Sequence, residues 1–108
     1  MEKTKFELIT EDIRRINKLE PKNLEFKIMK FNEEFGECNA EIIKLLGYTY
    51  KPHNRENLID EMADSFQCLM SIFVDIEDKF GISIEEEIMP AVLKKNKKWE
   101  AKIEEYRQ

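Results

Sequence analysis

The stretch KNLEFKIMKFNEEFGECNAEIIKLLG, residues 22–47, decides the fold. Its apolar residues Leu24, Ile28, Phe31, Phe35, Cys38, Ile42 and Leu45 recur at steps of 4, 3, 4, 3, 4 and 3. That unbroken heptad lays a stripe along one side of a helix, whereas a strand face has a period of two. Gly47 follows the last periodic residues. Without a Cβ it takes up the left-handed backbone that closes a helix. The spacing predicts a helix over about 22–46.

The flanking segments read the same way. A third helix is expected from about Arg55 to Phe80, stopped by Gly81. Its apolar arc, from Leu58 and Ile59 through Met62, Phe66 and Met70 to Val74 and Ile76, is broad enough for contacts on two sides. A fourth starts at Ser83, which forms a capping-box pattern with Glu86, and runs towards Tyr106. Pro90 lies inside it, so a kink or restart is expected there. The first helix is read from about Thr10, a candidate N-cap, to Leu19, with Pro21 ending it. Residues 1–9 either extend that helix or lie against the others. The sum is an all-α, antiparallel bundle of about four helices in a single domain spanning 1–108, expected to be completed by oligomerisation as a homodimer or homotetramer.

Composition narrows the function. Of 108 residues 38% are charged, yet 18 basic and 23 acidic side chains leave a net charge of only −5. An acidic chain is a poor non-specific ligand for nucleic acid, so no nucleic-acid partner is expected. No apolar run approaches the roughly 20 residues of a membrane span, so no membrane partner is expected. The start, MEKTKFELIT, lacks the apolar core of a signal peptide, and with two Cys points to free thiols in the cytoplasm. Two Cys and one His cannot supply a Cys/His zinc site of three or four ligands. Three Gly and three Pro are too few for a turn-rich β-fold.

The acids are the informative residues. The second helix carries Glu33, Glu34, Glu37 and Glu41, and the third carries Glu61 and Asp64. Glu34 with Glu37, and Glu61 with Asp64, are spaced i, i+3, so each pair points one way, on the flank of an apolar seam. Two readings fit. The acids form solvated faces, with Lys30 and Lys44 pairing some of them. Alternatively, the pairs converge across an antiparallel helix pair and offer only hard oxygen ligands, which suits Mg²⁺ or Mn²⁺ with phosphate and water completing the shell. A ferritin-like di-iron centre is excluded, because it needs Glu-x-x-His motifs and the one His, at position 53, does not form one.

Glu33-Glu34-Phe35-Gly36-Glu37, then 23 intervening residues, then Glu61-Met62-Ala63-Asp64, resembles the EExxE…ExxD signature of the MazG-like all-α nucleoside triphosphate pyrophosphohydrolases. Gly81-Ile82-Ser83-Ile84-Glu85-Glu86 resembles the opening of that family's last helix. Lys95-Asn96-Lys97-Lys98-Trp99 resembles its basic end, with Lys98 or a neighbour where Arg is common. The resemblance covers about residues 22–100. It implies an Mg²⁺-dependent enzyme, with Mn²⁺ as a substitute, that splits an NTP or dNTP into monophosphate and pyrophosphate. It further implies that Glu34, Glu37, Glu61 and Asp64 ligate the metal, with Glu33 behind them or orienting the attacking water. Lys95, Asn96, Lys98 and Trp99 would meet substrate. Phosphoribosyl-ATP pyrophosphohydrolase is the alternative among enzymes, and a helical interaction module solubilised by its acids the alternative outside them. Cys38 and the residues Met62 and Met70 are expected in the core, Cys68 at its edge near Asp64.

Overall fold

A computed structural model describes residues 2–20 and 22–107. Among them the chain is all-α, with helices α1 (Lys5–Leu19), α2 (Leu24–Leu45), α3 (Arg55–Phe80) and α4 (Met89–Arg107), the last preceded by a π-helical turn over Ile84–Ile88. Each start has a short polar cap. Thr4 Oγ1 accepts from Glu7 N at 3.1 Å, Asn23 Oδ1 from Phe26 N at 2.7 Å and Asn54 Oδ1 from Asn57 N at 3.1 Å. The first helix therefore begins before the expected Thr10. Thr10 is not a cap: it is buried, and its hydroxyl donates back to the carbonyls of Phe6 and Glu7. The overlooked signal was Thr4-x-x-Glu7, a capping box in its own right. The expected stop, Pro21, lies outside the described residues. Gly47 and Gly81 end α2 and α3 with φ of 78° and 71°, as their positions suggested.

The chain divides into two compact units, Met1–Asp75 and Ile76–Gln108. In the first, Ser65 Oγ donates to the Glu34 carbonyl at 3.2 Å, and Lys27 Nζ lies 3.5 Å from Asp75 Oδ1. Rising numbers on α2 thus meet falling numbers on α3, so the two are antiparallel. Asn17 of α1 is tied to Ser71 of α3 twice, its amide donating to the Ser71 carbonyl and its oxygen accepting from the Ser71 hydroxyl. Buried in this unit are Ile13, Cys38, Met70, Ile72 and Val74, alongside Thr10, Lys27, Glu34, Ser65 and Asp75. Half of that core is polar.

The polar half reflects a rotation of α2 away from the expected seam. Of the seven seam residues only Cys38 is buried. Leu24, Phe31 and Ile42 are half-buried, while Ile28, Phe35 and Leu45 are exposed. The positions one residue earlier, Lys27, Glu34 and Glu41, turn inward instead. Glu34 is therefore not on a flank but inside. The α3 arc is likewise filled only in its second half. Ile59, Met62 and Phe66 are exposed, so Met62 is not core filler, whereas Met70 is.

In the second unit, Ser83 Oγ accepts from Glu86 N at 3.0 Å. In return Ser83 N donates to Glu87 Oε2 at 2.8 Å, one residue later than in a capping box, because the turn is wound as a π-helix. The backbone N–H groups of Glu87 and Ile88 both reach the Ser83 carbonyl. The restart expected near Pro90 is this change of winding. Pro90 has no N–H to continue the ladder, and it falls in the first turn of α4, where none is required.

Gly36 and Gly81 make opposite forecasts. A Cβ at Gly36, in mid-α2, meets nothing within 4 Å, so Gly36→Ala is expected to stabilise by about 0.5–1 kcal/mol. At Gly81 the positive φ makes Gly81→Ala cost about 1–2 kcal/mol. Urea midpoints of the two variants should move in opposite directions.

Candidate metal centre

Antiparallel pairing brings the acids of α2 to those of α3. One carboxylate oxygen each from Glu34, Glu61 and Asp64 lie within 4.8 Å of one another, with Glu34 buried, Glu61 half-buried and Asp64 exposed. Glu34 is held from two sides. Its carbonyl takes the Ser65 hydroxyl, and its Oε1 lies 3.0 Å from Lys30 Nζ, one helical turn back. Glu41, two turns further along α2, pairs through Oε1 with Lys44 at 2.8 Å. The second oxygens of Glu61 and Glu41 are buried without a hydrogen-bond partner.

The crowding shows in protonation. Burial pushes the Glu61 carboxyl above the ordinary carboxylate range, and the charges of Glu37, Glu34 and Asp64 push it further. A hydrogen bond with Glu37 acts in the same direction. The same acids act on Cys68. Burial raises its thiol pKa first, Glu34 and Asp64 add to the rise and Lys30 opposes it. Cys68 is thus a protonated thiol at neutral pH, without the thiolate character of a nucleophile.

The donor set suits a hard divalent cation. Around Mg²⁺ with oxygens at about 2.1 Å, neighbouring ligands stand about 3 Å apart and opposite ones about 4.2 Å, so three oxygens within 4.8 Å of one another would have to draw together by up to an ångström or more to share one ion. Such a cation would satisfy the orphaned Glu61 oxygen and remove the mutual repulsion.

Glu34, Glu61 and Asp64 of the expected ligands come together. Glu37 joins them through Glu61, and Glu33 is exposed, its charge reaching Lys30. Of the expected substrate contacts, Lys95, Asn96, Lys98 and Trp99 are all exposed on α4, where Lys95 and Lys98 share a groove with Ala91, Lys94 and Lys97. His53 is exposed in the loop before α3. The sequence did not indicate a pocket of about 430 Å³ between α1, α2 and α3, reached by Lys22, Lys27, Lys30, Asn17, Phe26 and Cys68. Its signal was the Lys at 27 and 30 set among the apolar residues Phe26, Ile28, Met29 and Phe31. No protein-family model, curated protein or solved structure matches the chain.

Glu61 fixes a pH dependence. Its folded pKa lies above the unfolded value near 4.5, so the folded state binds the extra proton and stability falls as pH rises from there through the raised pKa. Glu61→Gln removes that loss. In chelator-containing buffer, the melting temperature of the variant relative to wild type should climb between about pH 4 and pH 7.

Proposed function

We propose that the protein is a divalent-metal-dependent nucleotide pyrophosphohydrolase, converting an NTP or dNTP and water to the monophosphate and pyrophosphate. The observation that carries this reading is the convergence of Glu34, Glu61 and Asp64 from two antiparallel helices. Glu41 also buries an unpartnered oxygen, but only that of Glu61 has two further carboxylates beside it for a cation to share. The resemblance of the EEFGE and EMAD segments to the MazG-like signature supports the same assignment.

In this reading Glu34, Glu61 and Asp64 hold Mg²⁺ or Mn²⁺, with Glu37 beside them. The ion supplies charge compensation at the phosphoryl oxygens and acidifies a water. Glu37 and Glu33 are the chain's own acceptors for that water's proton, Glu37 because it lies against Glu61 at the edge of the triad. Water attacks phosphorus, and the bridging P–O bond to pyrophosphate breaks. The pocket next to Lys30 has the volume of a small-molecule site, roughly 300–1,000 Å³, and would take the nucleoside end. The same resemblance assigns Lys95, Asn96, Lys98 and Trp99 to phosphate and base.

A homo-oligomer belongs to this proposal. Ile28 and Phe35 on α2 and Ile59, Met62 and Phe66 on α3 expose large apolar side chains that a second copy would cover. Sedimentation at micromolar concentration is expected to give a dimer or larger, and a monomer mass would remove this part of the proposal.

The enzymatic test is a panel of NTPs, dNTPs and phosphoribosyl-ATP with Mg²⁺, scored for pyrophosphate against phosphate release. Pyrophosphate is expected, and Asp64→Asn or Glu37→Gln should lower its release by on the order of 10²–10³-fold while leaving the melting temperature of the metal-free protein unchanged or higher. Full activity in both variants would overturn the site assignment. Inactivity on every substrate, with no Mg²⁺-dependent stabilisation, would favour an interaction module.

A further inference from the structure

Three lysines line the pocket between α1, α2 and α3, and each is paired with a carboxylate. Lys22 Nζ lies 3.2 Å from Glu20, Lys27 Nζ lies 3.5 Å from Asp75, and Lys30 Nζ lies 3.0 Å from Glu34. Only the partner of Lys30 belongs to the acid triad. Glu20 and Asp75 keep their lysines whatever happens at the triad, and Lys27 is buried with Asp75. Lys30 is about half exposed, as Lys22 is and Lys27 is not, but it alone of the three combines that freedom to move with a partner, Glu34, whose side chain is nearly enclosed.

We infer that Lys30 is a built-in counter-ion of the triad, which leaves Glu34 when a divalent cation binds and turns into the pocket to hold an anionic phosphate oxygen of the ligand. The inference rests on the reading of the triad as a cation site. Its physical basis is charge balance. Without a cation, Glu34 sits inside the protein among Glu61, Glu37 and Asp64, and the Lys30 ammonium is the positive charge on its carboxylate. A divalent ion on the same oxygens supplies two charges and repels an ammonium 3 Å away. The freed ammonium is tethered four residues before Glu34 on the pocket wall, where a phosphate bridging metal and pocket would present oxygens to it. Cation binding would thus arm the anion site, and Lys30 would order the two events.

This role predicts effects of opposite sign from one substitution. Lys30→Met keeps the length of the side chain and removes the charge. Mn²⁺ binding without substrate, read by electron paramagnetic resonance of the free ion, should become about 2–5-fold tighter, the equivalent of an exposed ion pair that no longer competes. Binding of inorganic pyrophosphate at saturating Mg²⁺, read by calorimetry, should weaken by about tenfold or more, as for a lost charged hydrogen bond. Lys30→Arg should largely restore the second and leave the first near wild type. Lys22→Met should leave Mn²⁺ binding unchanged. Circular dichroism melts establish that each variant is folded. A purely structural Lys30 would weaken both ligands together, and that result overturns the inference, as does unchanged binding of either. If wild type itself binds no Mn²⁺, the cation-site reading falls and this inference falls with it. If wild type binds Mn²⁺ and Lys30→Met does not bind it more tightly, only the inference falls.

Discussion

A carboxylate turned inward sets the terms for the rest of the molecule. Glu34 stands where a heptad would put an apolar side chain, and its charge has to be met within the protein. Lys30 meets it on the same helix, Ser65 fastens the backbone behind it, and Glu61 and Asp64 arrive from α3 to make the local field more negative still. Antiparallel pairing of α2 and α3 follows from the same contacts, because Lys27 and Asp75 close the far end of the helix pair as Glu34 and Ser65 close the middle. The unit is held by apolar contact around Val74, Met70 and Cys38, and its geometry is specified by polar contact.

That division explains what the sequence made legible. Helix content and the stops at Gly47 and Gly81 depend on local backbone preferences, which periodicity and glycine report directly. The acidic pairs were legible because i, i+3 spacing on a helix puts both side chains on one face before any tertiary structure is known. The start of α1 is ambiguous in the sequence because two threonines, Thr4 and Thr10, each precede acids; residues 5–9 extend the helix, and only tertiary burial of Thr10 separates the two candidates. The rotation of α2 was hidden for a deeper reason. Periodicity gives the apolar stripe, and the stripe is real, but which edge of it faces the same chain depends on Lys27 and Glu34 finding partners on other turns and on α3. The pocket was hidden likewise, as it needs three helices to exist.

Lys27 and Asp75 show how a buried ion pair works in such a setting. Removing two charges from water is expensive, and an apolar pair of similar volume would often be as stable or more so. What the pair contributes is register: it is satisfied at one rotation and one translation of α2 against α3. The Asn17 and Ser71 hydrogen bonds do the same for α1, with no large apolar contact needed at that point.

In landscape terms α2 is a frustrated helix. Turned by about one residue it would bury Ile28 and Phe35 in place of Lys27 and Glu34, satisfying the hydrophobic pattern at the expense of the acids. Two rotational states of one element therefore compete, and ion pairs tip the balance. Any selection for stability alone, natural or in the laboratory, has an easy route open to it: exchange Glu34 and both members of the Lys27–Asp75 pair for apolar side chains, fill the inward face in the register it already has, and gain a firmer unit. The same step dismantles the cluster of oxygens on α2 and α3. Thermal robustness and the acidic centre thus compete for one helix face, and a gain in the first made on that face is a loss to the second.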